Sequence, residues 1–124
     1  MARQFVVSIN NTTGATLPYA VNNHASPVNM GVVVYMVGGT GMYSVQHTFD
    51  NLFEQDSAGR PRYATVTAFV SAARWINHPT LSSLTSTADS NYAYGPNFVR
   101  LAVVSAAGGA NFEMRLNQSG IAGN

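Results

Sequence analysis

Residues 43–49, Tyr43-Ser44-Val45-Gln46-His47-Thr48-Phe49, set Tyr43, Val45, His47 and Phe49 in alternation with Ser44, Gln46 and Thr48. A strand turns successive side chains to opposite faces, so this period of two reads as one buried face and one wet face. The same period recurs near both ends of the chain. Phe5, Val7 and Ile9 alternate with Val6 and Ser8, and Phe112, Met114 and Leu116 alternate with Glu113, Arg115 and Asn117. Val32–Val37 and Phe98–Val104 are apolar on both sides of the pleat, which predicts strands covered on both faces.

Glycine-rich stretches separate these runs. Gly38-Gly39-Thr40-Gly41 and Ala107-Gly108-Gly109-Ala110 each lie between two strand patterns and read as hairpin loops. Gly59-Arg60-Pro61 introduces Tyr63–Val70, where Val66, Thr67, Phe69 and Val70 favour β structure. Asn10–Gly14, Asn22–Asn29 and Ser82–Asn91 are rich in Asn, Ser and Thr and read as loops. Thr67–Asn77 is the best helical stretch, and it supports one short helix near Ser71–Trp75. Six to eight short strands with turns every ten residues or so predict an all-β fold. The expected architecture is an antiparallel β-sandwich of jelly-roll type, or a small barrel, with at most one short helix.

At 124 residues the chain is the size of one domain, read as spanning 1–124 with residues 1–9 as an N-terminal arm or the first strand. Surface scaling leaves roughly a third of the unfolded surface exposed after folding, enough burial for a self-supporting core. Apolar residues make up 46% and charged residues 9%, the opposite of a disordered composition. The net charge is +1, from six Arg, no Lys and five acidic residues, so there is no basic patch to displace counterions from nucleic acid. Cysteine is absent, which excludes disulfides, thiolate nucleophiles and Cys-ligated zinc. No apolar run reaches the length of a signal peptide core or a membrane span, and the chain reads as soluble with no membrane partner.

Candidate chemistry is sparse. His24, His47 and His78 lack the spacing of a local ligand pair, and the expectation is structural histidines and no metal or cofactor. Asp50, Glu54 and Asp56 surround Phe53 in a connection, where acidic residues serve solvation more often than paired-carboxylate hydrolysis. No serine sits in a Gly-x-Ser-x-Gly elbow, and Gly38–Gly41 lacks the Lys-Ser/Thr of a phosphate loop. No catalytic residue is therefore assigned. Trp75, Tyr92 and Tyr94 could form a sugar-stacking platform or could simply pack. A surface poor in charge whose cations are all Arg suits extensive contact with other protein.

Three stretches taken in order carry a resemblance: Tyr43–Asp50, then Arg74-Trp75-Ile76-Asn77-His78-Pro79-Thr80-Leu81, then Pro96–Val103 with a closing glycine-turned hairpin to Gln118. Together, over residues 42–118, they resemble small virion proteins of tailed bacteriophages, and within that group the capsid decoration, or cement, proteins of short-tailed phages. The resemblance implies a β-sandwich on the outer surface of the virion capsid that reinforces it by bridging neighbouring major capsid subunits. It also implies self-association as a dimer or trimer, and no catalysis. On the matching positions, Trp75 and Leu81 are expected to anchor the His78-Pro79 turn. Gln46 and Arg100 are expected to make fixing hydrogen bonds. Arg3 and Phe5 in the N-terminal segment, and Asp56, Arg60 and Arg62 in the polar insert, are the candidate contact residues. The competing readings are a carbohydrate- or receptor-binding module of the same virion, and a small β-barrel enzyme acting on sugars.

Overall fold

A computed structural model describes residues 3–21, 29–55 and 57–118, and of Arg3 the backbone alone. Nine strands and one helix follow in the order β1 (Arg3–Asn10), β2 (Gly14–Ala15), β3 (Tyr19–Ala20), β4 (Met30–Val37), β5 (Thr40–Thr48), α1 (Val66–Ala72), β6 (Ile76–Asn77), β7 (Ala88–Tyr92), β8 (Phe98–Ala107) and β9 (Asn111–Gln118). They form two antiparallel sheets, ordered β1-β9-β4-β7 and β2-β8-β5-β6, with β3 also paired to β8. The fold is an all-β antiparallel sandwich with a single short helix. The count exceeds the expected six to eight because three strands are only two residues long.

The period-two reading locates the core. Val32 and Val34 of β4 and Phe112, Met114 and Leu116 of β9 face Tyr43 and Val45 of β5 and Val99, Leu101 and Val103 of β8, all buried. Leu81 and Tyr92 complete the same layer. Phe49, read as the last inward residue of its strand, lies past the end of β5 and is 55% exposed.

Both glycine loops are corrections. Gly38–Gly41 does not close a hairpin, because β4 pairs with β9 and β7 while β5 pairs with β8 and β6. With both edges of each strand occupied by others, the chain must step from one sheet to the other. Ala107–Ala110 makes the reverse step, from β8 to β9. The two crossings interlock backbone to backbone. Gly39 has φ +53°, and a Cβ there would fall on the Ala107 carbonyl; one at Gly41 would sit 2.5 Å from the Ser105 carbonyl oxygen. Asn11 joins them from β1, its N–H donating to the Ala110 carbonyl at 2.7 Å and its Oδ1 accepting from the Gly109 N–H at 3.1 Å.

Three further expectations change. Val32–Val37 is covered on one face only, since Tyr35 and Val37 are exposed, and Val104 is exposed at the far end of β8. The β-favouring stretch Tyr63–Val70 instead starts the helix, which runs Val66–Ala72 rather than Ser71–Trp75. Thr65 caps it, its hydroxyl accepting from the Ala68 N–H at 3.1 Å. Phe69 packs on Phe98 with ring centroids 5.0 Å apart, and that anchorage overrides the β preference of Val66, Thr67 and Val70. Finally, the polar stretch Ser82–Asn91 contains most of β7, an edge strand on β4 whose alternate residues turn inward. Its Asp, Ser and Asn content hid the period. Of the expected Asn22–Asn29 loop, residues 22–28, with His24, lie outside the described residues.

Candidate interaction surface

Between β5 and β6 the chain leaves the sheets for residues 49–75 and covers part of the outer face of the β8–β5 sheet. Alternation turns Phe98 to that outer face, opposite to Val99. Phe69, Ala73 and Phe98 form a second, smaller core there, with Leu52, Tyr63, Val70 and Trp75 packed around it. The insert is thus a layer with its own apolar anchor.

Beside that anchor lies a polar chain. The Arg100 Nε donates to Gln46 Oε1 at 2.9 Å, the Gln46 amide donates to Asn77 Oδ1 at 3.1 Å, and the Asn77 amide donates to the Ser82 hydroxyl at 3.1 Å. The Arg100 guanidinium lies 4.1 Å from the Trp75 ring centroid, and burial pushes its pKa down. Trp75 donates its Nε1–H to the Val70 carbonyl at 3.1 Å. It packs in the insert cluster, whereas Leu81 is buried in the main core; the two residues expected to anchor one turn belong to separate clusters.

His78 is buried beside Tyr92, its Nε2 donating to the Asn91 carbonyl at 2.8 Å while its Nδ1 accepts from the Thr80 N–H at 3.1 Å. Its neighbour Pro79 is exposed. His47 Nδ1 lies 2.9 Å from the Tyr92 hydroxyl, and burial, with the charge of His78 second, lowers the His47 pKa. Burial raises the Tyr92 phenol strongly, so it stays protonated. His47 and His78 therefore both meet Tyr92 edge to face, and His47 also hydrogen-bonds its hydroxyl.

The acidic residues hold the insert. Asp50 Oδ2 accepts from the Arg74 backbone N–H at 2.7 Å, and Oδ1 accepts from its guanidinium at 2.8 Å. These bonds hold the Asp50 carboxyl below its usual range. Glu54 accepts from Arg62 at 3.3 Å and from the Tyr63 hydroxyl at 3.2 Å. Asp56 lies outside the described residues. Arg60 and Arg62 are exposed on the insert, whereas Phe5 turns toward the core, its ring 4.8 Å from Tyr19. Phe5 is thus a core-side residue, partly buried at the β1 edge. Arg3 opens β1 opposite Gln118.

The exposed residues of the insert and its flanks mix Arg60, Arg62 and Arg74 with large apolar side chains. Phe49, Phe53, Val66, Ile76 and Tyr94 are 55%, 79%, 47%, 51% and 43% exposed. Phe49 and Tyr94 stack at 6.1 Å with their planes 24° apart. A depression of about 180 Å³ runs between Phe49, Asp50, Arg74 and Ile76. A larger one, about 340 Å³, is lined by Leu52, Phe53, Pro61, Tyr63 and Val66. Of the three aromatics considered for a platform, Tyr92 is fully buried and Arg100 lies over the half-buried Trp75, so Tyr94 alone faces solvent, beside Phe49. Phe49, Phe53, Val66 and Ile76 were not among the contact residues expected from the sequence. The available signal was Phe53, a large aromatic between Leu52 and Glu54 within the acidic connection Asp50–Asp56.

No family model matches the chain, and no curated protein does. Among solved structures the chain is similar to the Bacillus endospore appendages described as a novel family of disulfide-linked pili. That likeness has a TM-score of 0.46 at 13% identity, over 96% of this chain and 87% of that one. It is also similar to the IMPa metallopeptidase from Pseudomonas aeruginosa, with a TM-score of 0.44 at 10% identity, over 98% of this chain and 12% of that one. The chain thus spans a small part of the peptidase.

Proposed function

We propose that this domain is a structural component of a virion, decorating the outside of a phage capsid and reinforcing it by gripping neighbouring major capsid subunits. The observation that carries the reading is the insert surface, with Phe49, Phe53, Val66, Ile76 and Tyr94 exposed and Arg62 and Arg74 among them. Aromatic and Arg side chains are the types enriched at protein interfaces and among their strongest contacts. The capsid as partner comes from the resemblance of residues 42–118. Among the described histidines and acids, His47, His78, Asp50 and Glu54 are each engaged in holding the fold, which supports a non-catalytic role.

Added to shells that lack it, the purified protein should bind to saturation and raise the temperature at which the shells rupture. Phe53→Ala combined with Ile76→Ser should abolish both effects while leaving the free protein folded. Identical rupture of coated and bare shells would sink the reinforcing role.

A second reading, a glycan-binding module, is favoured by one feature. The Phe49–Tyr94 pair presents aromatic faces beside Asn97 and Asp50, the residue types that meet a sugar's apolar face and its hydroxyls. Specific hits on a glycan array, lost in Tyr94→Ala, would move the assignment there.

A further inference from the structure

Among the described residues the sandwich has four lateral edges, and three are guarded against pairing with another chain. On the β8–β5 sheet the outer strands β2, β3 and β6 are two residues each, too short to template a partner. On the other sheet β7 is short and polar and carries Asp89, so a second copy of β7 laid against it would bring like charges together. The fourth edge is β1, and it is of another kind. It runs eight residues in unbroken register with β9, from Arg3 opposite Gln118 to Asn10 opposite Asn111, without a bulge. Its sequence Arg3-Gln4-Phe5-Val6-Val7-Ser8-Ile9-Asn10 contains no proline and no lysine, and its one charge, Arg3, stands at its start. Among the described residues no strand pairs with its other side.

The side chains of β1 also show an unfinished layer. Phe5, Val7 and Ile9 face the core yet are only partly buried, whereas Phe112, Met114 and Leu116 on the neighbouring strand are at most 1% exposed. On the outer face Val6 is 47% exposed. One more strand beside β1 would cover both sets.

We propose that the occupant is β1 of a second copy, paired antiparallel about a two-fold axis through Val6 or Val7. About Val6 the opposed pairs are Val6 with Val6, Phe5 with Val7 and Gln4 with Ser8. About Val7 they are Val7 with Val7, Phe5 with Ile9, Val6 with Ser8 and Gln4 with Asn10. Both registers keep the apolar residues on the core side of each copy and bring no charge opposite another. A self-complementary edge of this kind closes as a two-fold dimer, because each copy spends its one unguarded edge on the other. The two four-stranded sheets then run on as one eight-stranded sheet. The inference concerns the chain's pairing with itself and stands independently of the capsid reading.

Sedimentation velocity tests it directly. The wild type should sediment at twice the 13.2 kDa chain mass. The double variant Val6→Lys/Ser8→Lys sets Lys opposite Lys in either register, and should sediment at the mass of one chain with unchanged circular dichroism. Both positions are solvent-facing, so folding is preserved. Because the chain has no cysteine, a mixture of the single variants Gln4→Cys, Val6→Cys and Ser8→Cys should form disulfide-linked dimers on mild oxidation. Asp89→Cys, on the guarded edge, should not. A wild type that stays monomeric at every concentration, or an oligomer that survives the lysine pair and resists these cross-links, would overturn the proposal.

Discussion

At the scale of single residues, two positions connect local geometry to measurable stability. His47 is buried against Tyr92 and has a pKa below the ordinary 6.5, so the unfolded chain binds its proton more readily than the folded one. Stability from this group is complete above 6.5 and is lost as pH falls toward the depressed folded value. Melting temperature should therefore drop on acidification below 6.5, and His47→Gln should flatten that slope; an unchanged slope would reassign the acid sensitivity elsewhere. Gly39 and Gly109 give a second, paired test. Both have positive φ, but a Cβ at Gly39 would strike the Ala107 carbonyl, whereas one at Gly109 meets nothing within 4 Å. Gly109→Ala should cost only the backbone penalty of about 1–2 kcal/mol, and Gly39→Ala clearly more, by denaturant titration. Equal losses would mean that the two crossings do not interlock.

At the scale of elements, the insert and its helix show how tertiary contact selects secondary structure. Val66-Thr67-Ala68-Phe69-Val70 is a poor helix by propensity, and α1 is two turns long, too short to persist alone. It is helical because Thr65 closes its start and Phe69 is buried among Phe98, Tyr63 and Trp75. Phe69→Ala should cost about 3–5 kcal/mol of that anchorage. Hydrogen exchange would show α1 amides losing protection while those of β4, β8 and β9 keep theirs. Parallel loss in the sheets would mean the insert and the sandwich fold as one unit. The strands follow the same logic in reverse: β7 is polar in sequence but extended, because the outer edge of β4 supplies its ladder.

At the scale of the whole molecule, low charge sets the character of every association. With eleven charged residues in 124 and a net charge of +1, long-range steering is weak and contact rests on apolar and aromatic area. Binding through the insert surface should persist as sodium chloride is raised and strengthen in sulfate. An isotherm that weakens tenfold with salt would instead point to Arg62 and Arg74 acting as phosphate or carboxylate clamps. A pair joined at β1 would present two insert surfaces, since the two sets share no residue. Engaging two neighbouring subunits at once would multiply weak single contacts through effective concentration.

The sandwich itself was legible from residues 43–49, 112–116 and 5–9, because burial on one face of a pleat imposes alternation that no tertiary detail can erase. The sparse charge and the absence of cysteine were equally plain. Pairing was another matter. The glycine loops announce a change of direction, but whether a strand returns beside its predecessor or crosses to the other sheet depends on which edges β9, β7 and β8 already occupy. The helix at Val66, the strand at Ala88 and the exposure of Phe49 and Phe53 were likewise decided in three dimensions. Local propensities there amount to a fraction of a kcal/mol per residue, and burial against a partner distant in the chain outweighs them.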